Sequence, residues 1–199
     1  MRVIDADGHV EENVDTFSDK YFDPAFRALR PRVTGVDGMA YWVIDEQLYP
    51  RRVGPGCHNL GTPTNVNGQI AAHSLSKQES IASMELDDIA ARLKLMDDED
   101  IAVQVIYTTL FLAYPLTKNV PLATALTSSY NRWMGQRLAG QARIKWSAVV
   151  NLDDIPGTVK QVREAKKLGA VSVMVLGTAG DDMLDHPRLD PFYAALCEE

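Results

Sequence analysis

Val3 to Val10 is short and flanked by polar chain, and a period of two places Val3, Asp5, Asp7 and His9 on one face and Ile4, Ala6 and Val10 on the other. That is the pattern of a strand. Glu11 to Arg32 is polar and broken by Pro24 and Pro31, which predicts loop with one short helix at Pro24–Leu29. Ala40–Ile44 and Gln47–Tyr49, joined by Asp45-Glu46, predict a small hairpin. From Val53 to Ser76 the chain carries Gly54, Pro55, Gly56, Gly61, Pro63 and Gly68. Compact domains seldom leave such a length of loop idle, and a nearby active site is the usual reason.

Beyond Ser76 the pattern becomes regular. Leu86, Ile89, Leu93 and Met96 recur at helical spacing, with Glu85, Asp87 and Asp88 in the first turn, where the helix dipole favours anions. Ala102–Tyr107 reads as a buried strand. Asn119 and Pro121 open a helix marked by Leu122, Ala125, Leu126, Ser129, Tyr130, Trp133 and Leu138. Ile144–Val150 is the next strand. A helix marked by Pro156, Val159, Val162, Ala165 and Leu168 follows, starting at Asp154 or Ile155 and stopped by Gly169. Ala170–Leu176 is a further apolar strand, and Leu189–Leu196 begins a fourth helix.

Strands apolar throughout, alternating with amphipathic helices, predict a parallel sheet with helical cover. The predicted fold is α/β, of the (β/α)8 TIM-barrel type. A closed barrel takes about 250 residues, so four strand-helix units predict the first half of one. Residues 1–199 are then one incomplete barrel domain, with a hairpin-and-loop insertion at about 37–76. A small open α/β sheet is the alternative.

A composition of 46% hydrophobic and 24% charged residues excludes a disordered or fibrous chain. The net charge of -7 opposes binding to nucleic acid and to anionic membrane surfaces. Cys57 and Cys197 form no CxxC pair, so both read as reduced thiols. No apolar export segment follows Met1-Arg2 and no stretch approaches the roughly 20 apolar residues of a membrane helix, so a cytoplasmic location is expected.

The chemistry gathers at the first strand. Two carboxylates on an inward barrel face need a cation or a dense set of hydrogen bonds, because burying them bare costs several kcal/mol each. Asp7 and His9, two residues apart at the C-terminal end of the strand, can reach one divalent ion, and barrel active sites sit at that end. The ordinary alternative is a strand leaving its sheet with solvated carboxylates and a surface histidine.

The run Ile4-Asp5-Ala6-Asp7-Gly8-His9-Val10-Glu11-Glu12 resembles the opening strand of the amidohydrolase superfamily, particularly its aminocarboxymuconate-semialdehyde decarboxylase-like ("amidohydrolase 2") branch. In that branch the strand ends in HxH or follows DxDxHxxE, and Asp5, Asp7, His9 and Glu12 occupy the four positions of the second form. Met96–Tyr107 is similar to the family's helix-to-strand passage and Leu189–Leu196 to the helix after its fourth strand. The resemblance implies that Asp7 and His9 are metal ligands, with Glu12 as a possible third, and that one divalent ion is bound. Zinc is the first expectation, manganese or iron the alternatives, since Asp7 in place of a histidine makes the site richer in oxygen. Leu176-Gly177-Thr178-Ala179 departs from the GTH of many relatives, so Ala179 offers no imidazole, and the family's later ligands fall past Glu199.

Arg52 loosely resembles the family's arginine for a substrate carboxylate, and His58 is a weak candidate acid or base. His73 and His186 read as structural or solvated. The expected activity is decarboxylation, or a related C–C cleavage, of a small unsaturated or aromatic carboxylic acid, by a homo-oligomeric enzyme. Metal-dependent hydrolysis of an amide or lactone stands beside it. A truncated, non-catalytic half-barrel that folds only by pairing with another chain is the reading from a different class.

Overall fold

The structure, a computed structural model, describes residues 3–36, 39–49, 65–66, 69–70, 80–113 and 115–199. Strand β1 is Val3–Val10. A peripheral sheet follows, built from β2 (Arg32–Val36), β3 (Met39–Ile44) and β4 (Gln47–Tyr49), and β5 (Asn65–Val66) pairs with β6 (Gln69–Ile70). The regular part runs α1 (Ile81–Met84), α2 (Ile89–Asp98), β7 (Ile101–Thr108), α3 (Val120–Arg137), β8 (Ile144–Val149), α4 (Ile155–Lys167) and β9 (Ser172–Met174). The short pair β10 (Thr178–Ala179) and β11 (Asp182–Met183) precedes α5 (Asp190–Glu198).

The main sheet is parallel, in the order β1-β7-β8-β9. The strands of this sheet keep their chain order in space, without the reversal at a switch point that marks a doubly wound sheet. The four strand-helix units expected from the sequence are therefore present. Closure into an eight-stranded barrel is not: among the described residues no sheet closes, and β1 and β9 are its edges.

Helix ends follow their capping residues. Asp88 accepts from the Ala91 amide, Asn119 from Leu122 and Asp154 from Gly157, each satisfying a donor that the first turn cannot pair internally. Gly169, at φ +94°, follows the end of α4. The helix expected to include Leu86 starts later, because Leu86 sits at φ 55° in the left-handed region and separates α1 from α2; Glu85 and Asp87 thus lie outside the helix.

Burial of β7 alternates. Gln104, Ile106 and Thr108 are buried, whereas Val103, Val105 and Tyr107 are half-buried. Helix α2 packs on β7 and α3 on β8, so the face of the sheet that carries them is covered. The main core joins Ile106, Trp146 and Ala148 of the sheet to Met96, Leu126, Tyr130 and Trp133 of the helices.

The hairpin at Asp45-Glu46 forms as expected, with both residues at positive φ. It gains β2, which polar composition had concealed, and Trp42 packs edge-on to Phe17 at 5.5 Å. Arg52, His58 and His73 lie outside the described residues.

Candidate metal centre

Strand β1 does not keep the strict alternation expected of it. Its register with β7 runs Asp5↔Gln104, Gly8↔Ile106 and His9↔Tyr107, so three residues of β1 span two of β7. This is a β-bulge, one extra residue that re-aims the side chains after it. Asp5 lines up with Gln104 on the helix-covered side, while His9 lines up with Tyr107 on the opposite side. The expectation that Asp5, Asp7 and His9 share a face is corrected: Asp7 and His9 stand together, and Asp5 is turned under the strand.

His9 Nε2 lies 3.7 Å from Asp7 Oδ1. Two metal bonds of about 2.1 Å span up to about 4.2 Å, so one ion can touch both groups. His9 Nδ1 is 3.1 Å from the Thr108 carbonyl, which can only accept; the ring therefore donates there and leaves the Nε2 lone pair free. This is the outer partner that metal-binding histidines use to hold tautomer and ring orientation. The Asp7 side chain is 92% exposed and the His9 side chain 36%, so an ion could reach them without opening the core. The donor chemistry of Asp7 and His9 fits a divalent metal. Among the described residues no three His, Cys, Asp or Glu side chains are grouped closely enough to form a complete set.

Glu12 is placed differently from its expected role as a third ligand. It is 2% exposed, and both its oxygens are engaged: Oε1 accepts from the Thr108 hydroxyl and Oε2 from the Leu110 amide at 2.9 Å. Burial pushes its pKa up to about 7, with those hydrogen bonds opposing the shift. Glu11 is pushed to about 8 by burial, then by the charges of Glu12 and Glu85. Burial and the nearby Glu12 charge also hold the Tyr130 hydroxyl well above the ordinary tyrosine range. The acids of this segment thus divide into an exposed Asp7 on the rim, a half-buried Glu11 and a buried Glu12.

Sequence reasoning missed Gln104 and Arg92. Both are buried: Arg92 Nε donates to Gln104 Oε1 at 2.9 Å, and Arg92 Nη2 donates to the His9 carbonyl at 3.1 Å. The signal was a single amide in the apolar run Ala102–Tyr107. A cleft of about 300 Å³ between β1 and α2, on the helix-covered side of the sheet, is lined by Asp5, Asp7, His9, Arg92, Glu99 and Gln104 among others. A larger one, about 740 Å³, opens at the starts of α3 and α4 and holds none of the expected ligands.

One of the solved structures that share this architecture illustrates the likeness. It is an amidohydrolase from Mycobacterium avium subsp. paratuberculosis K-10, with a TM-score of 0.70 and 22% identity; the match covers 99% of this chain and 56% of that one. The fold is shared. This chain spans just over half the length of that protein. No family model and no curated protein matches the sequence. Among the described residues no helix is long and apolar enough to cross a membrane.

Proposed function

We propose that this chain is part of a metal-dependent enzyme of the amidohydrolase superfamily, with Asp7 and His9 as ligands of a divalent ion. One observation carries the reading: a carboxylate oxygen and an imidazole nitrogen 3.7 Å apart at the C-terminal end of β1, with the other ring nitrogen held by Thr108. The resemblance of the Asp5–Glu12 run and the barrel-like strand order support it.

When bound, a divalent ion supplies a Lewis acid that can polarise a carboxylate or carbonyl. Asp7 contributes negative charge to the site, and His9 a neutral nitrogen whose direction the Thr108 carbonyl maintains. The reaction we infer is decarboxylation or related C–C cleavage of an unsaturated or aromatic carboxylic acid. Hydrolysis of an amide or lactone is the second reading, favoured by the name of the structural neighbour. Arg52 and His58 remain proposals for the substrate carboxylate and for acid-base work. The two open sheet edges favour association with further copies or strands, hence a homo-oligomer.

Titrating the chain with zinc and manganese by calorimetry tests the ligand pair. One site per chain is expected. Asp7→Ala and His9→Ala should each weaken it roughly a hundredfold or more, above the tenfold to hundredfold typical of losing an outer partner. Unchanged binding in both variants, or none in the native chain, would defeat the assignment.

A further inference from the structure

We propose that Gln104 is a positioning residue that sets the Asp7–His9 pair through a closed ring of hydrogen bonds; the inference rests on the metal reading above. The ring starts at the backbone of one ligand and ends at the backbone of the other. The Asp7 amide donates to Asp5 Oδ1 at 2.9 Å, and Asp5 Oδ2 accepts from Gln104 Nε2 at 2.6 Å. Gln104 Oε1 accepts from Arg92 Nε at 2.9 Å, and Arg92 Nη2 returns to the His9 carbonyl at 3.1 Å. Only Gly8 lies between the two anchored residues.

Each member suits its place. Gln104 must donate to a carboxylate and accept from a guanidinium with one terminal group, which an amide does and neither a carboxylate nor an ammonium can. Gln104 is 5% exposed and Arg92 4%, so these bonds sit where a lost partner is costly. Gly8 leaves the room: a Cβ there would stand 2.7 Å from Gln104 Cγ and Cδ, closer than real Cβ contacts come. The bulge between Asp5 and Gly8 supplies the extra residue that lets Asp5 pair with Gln104 and complete the ring while His9 lines up with Tyr107. Gln104 therefore reaches neither ligand side chain, yet governs the backbone that aims both.

Gln104→Met keeps length and packing but removes both side-chain bonds. Amide hydrogen exchange in the metal-free chain should show Asp7 about tenfold or more faster in this variant. The Val149 amide, bonded to Asn131 in the core, should be unchanged, which separates ring opening from general loosening. Cobalt(II) titration should show affinity reduced roughly 10- to 100-fold, with a shifted visible band. A charge swap gives the sharper test. Gln104→Glu alone opposes two carboxylates and should weaken binding; adding Asp5→Asn lets the new amide accept from Asp7 and donate to the new carboxylate, restoring affinity to within about threefold. Native exchange and affinity in Gln104→Met, or a double variant no better than Gln104→Glu, would overturn the proposal. A native chain that binds no cobalt defeats the metal reading, and the Asp7 exchange comparison still decides the ring.

Discussion

Asp7 and Glu12 are both acids, a few residues apart, yet they occupy opposite physical regimes. The rim where Asp7 stands is wet: its side chain is 92% exposed and within reach of an imidazole. The pocket beneath, where Glu12 lies under Thr108 and Leu110, is dry, and both carboxylate oxygens are committed to protein donors. The difference teaches that a motif of acids is not a list of equivalent ligands. A carboxylate with free lone pairs in water can exchange solvent for an ion, whereas one whose lone pairs are taken in the core contributes to the fold.

That contrast is easiest to break by truncation. At pH 5, where Glu12 is protonated in the fold, Glu12→Ala should cost about 3 kcal/mol, because it orphans the Thr108 hydroxyl and the Leu110 amide and leaves a void. Asp7→Ala should stay within about 0.5 kcal/mol. Urea midpoints of the two variants compare them directly, and equal losses would erase the distinction.

The next effect is in pH. Folding raises the Glu12 pKa from 4.5 to about 7 and that of Glu11 from 4.5 to about 8. The native state therefore holds protons that the unfolded chain has released, and stability falls as pH rises from about 4.5 through about 8. The Glu12 share is on the order of 3 kcal/mol. Glu12→Gln should flatten the lower part of this decline in denaturation midpoints taken across that range; a profile as steep as the native one would contradict the buried-acid account.

The smallest effect concerns an acid that is neither free nor buried. Asp182 meets Arg188 Nε at 2.5 Å, and that bond first, then the His186 and Arg188 charges, hold its carboxyl below the ordinary range. Its contribution is present above the ordinary carboxylate range and fades as pH falls through the lowered pKa. Asp182→Asn should remove this acid-side dependence by lowering stability slightly at neutral pH and leaving it unchanged at acid pH, as thermal melts at the two pH values would show.

Much of the fold was legible because its signals are local. Apolar runs at Ala102–Tyr107 and Ile144–Val150, caps at Asn119 and Asp154, and the stop at Gly169 all report on neighbours within a turn or two. Strand β2 was not legible: Arg32–Val36 lacks an apolar run and is a strand because β3 lies beside it. The site divides similarly. Asp7 and His9 were found from their spacing, and their pairing in space agrees with it, while the face assigned to Asp5 failed because a bulge depends on the partner strand.

By itself, the order of residues determined most of the helices and the strands of the parallel sheet and marked Asp7 and His9 as side chains with metal-ligand donors, since both follow from residue type and short-range period. Tertiary structure alone decided that Asp5 turns under the strand, that Glu12 is spent on Thr108 and Leu110, and that Gln104 ties Arg92 to Asp5. Those outcomes join atoms about a hundred residues apart along the chain, and only packing decides which of them lose water and which keep it.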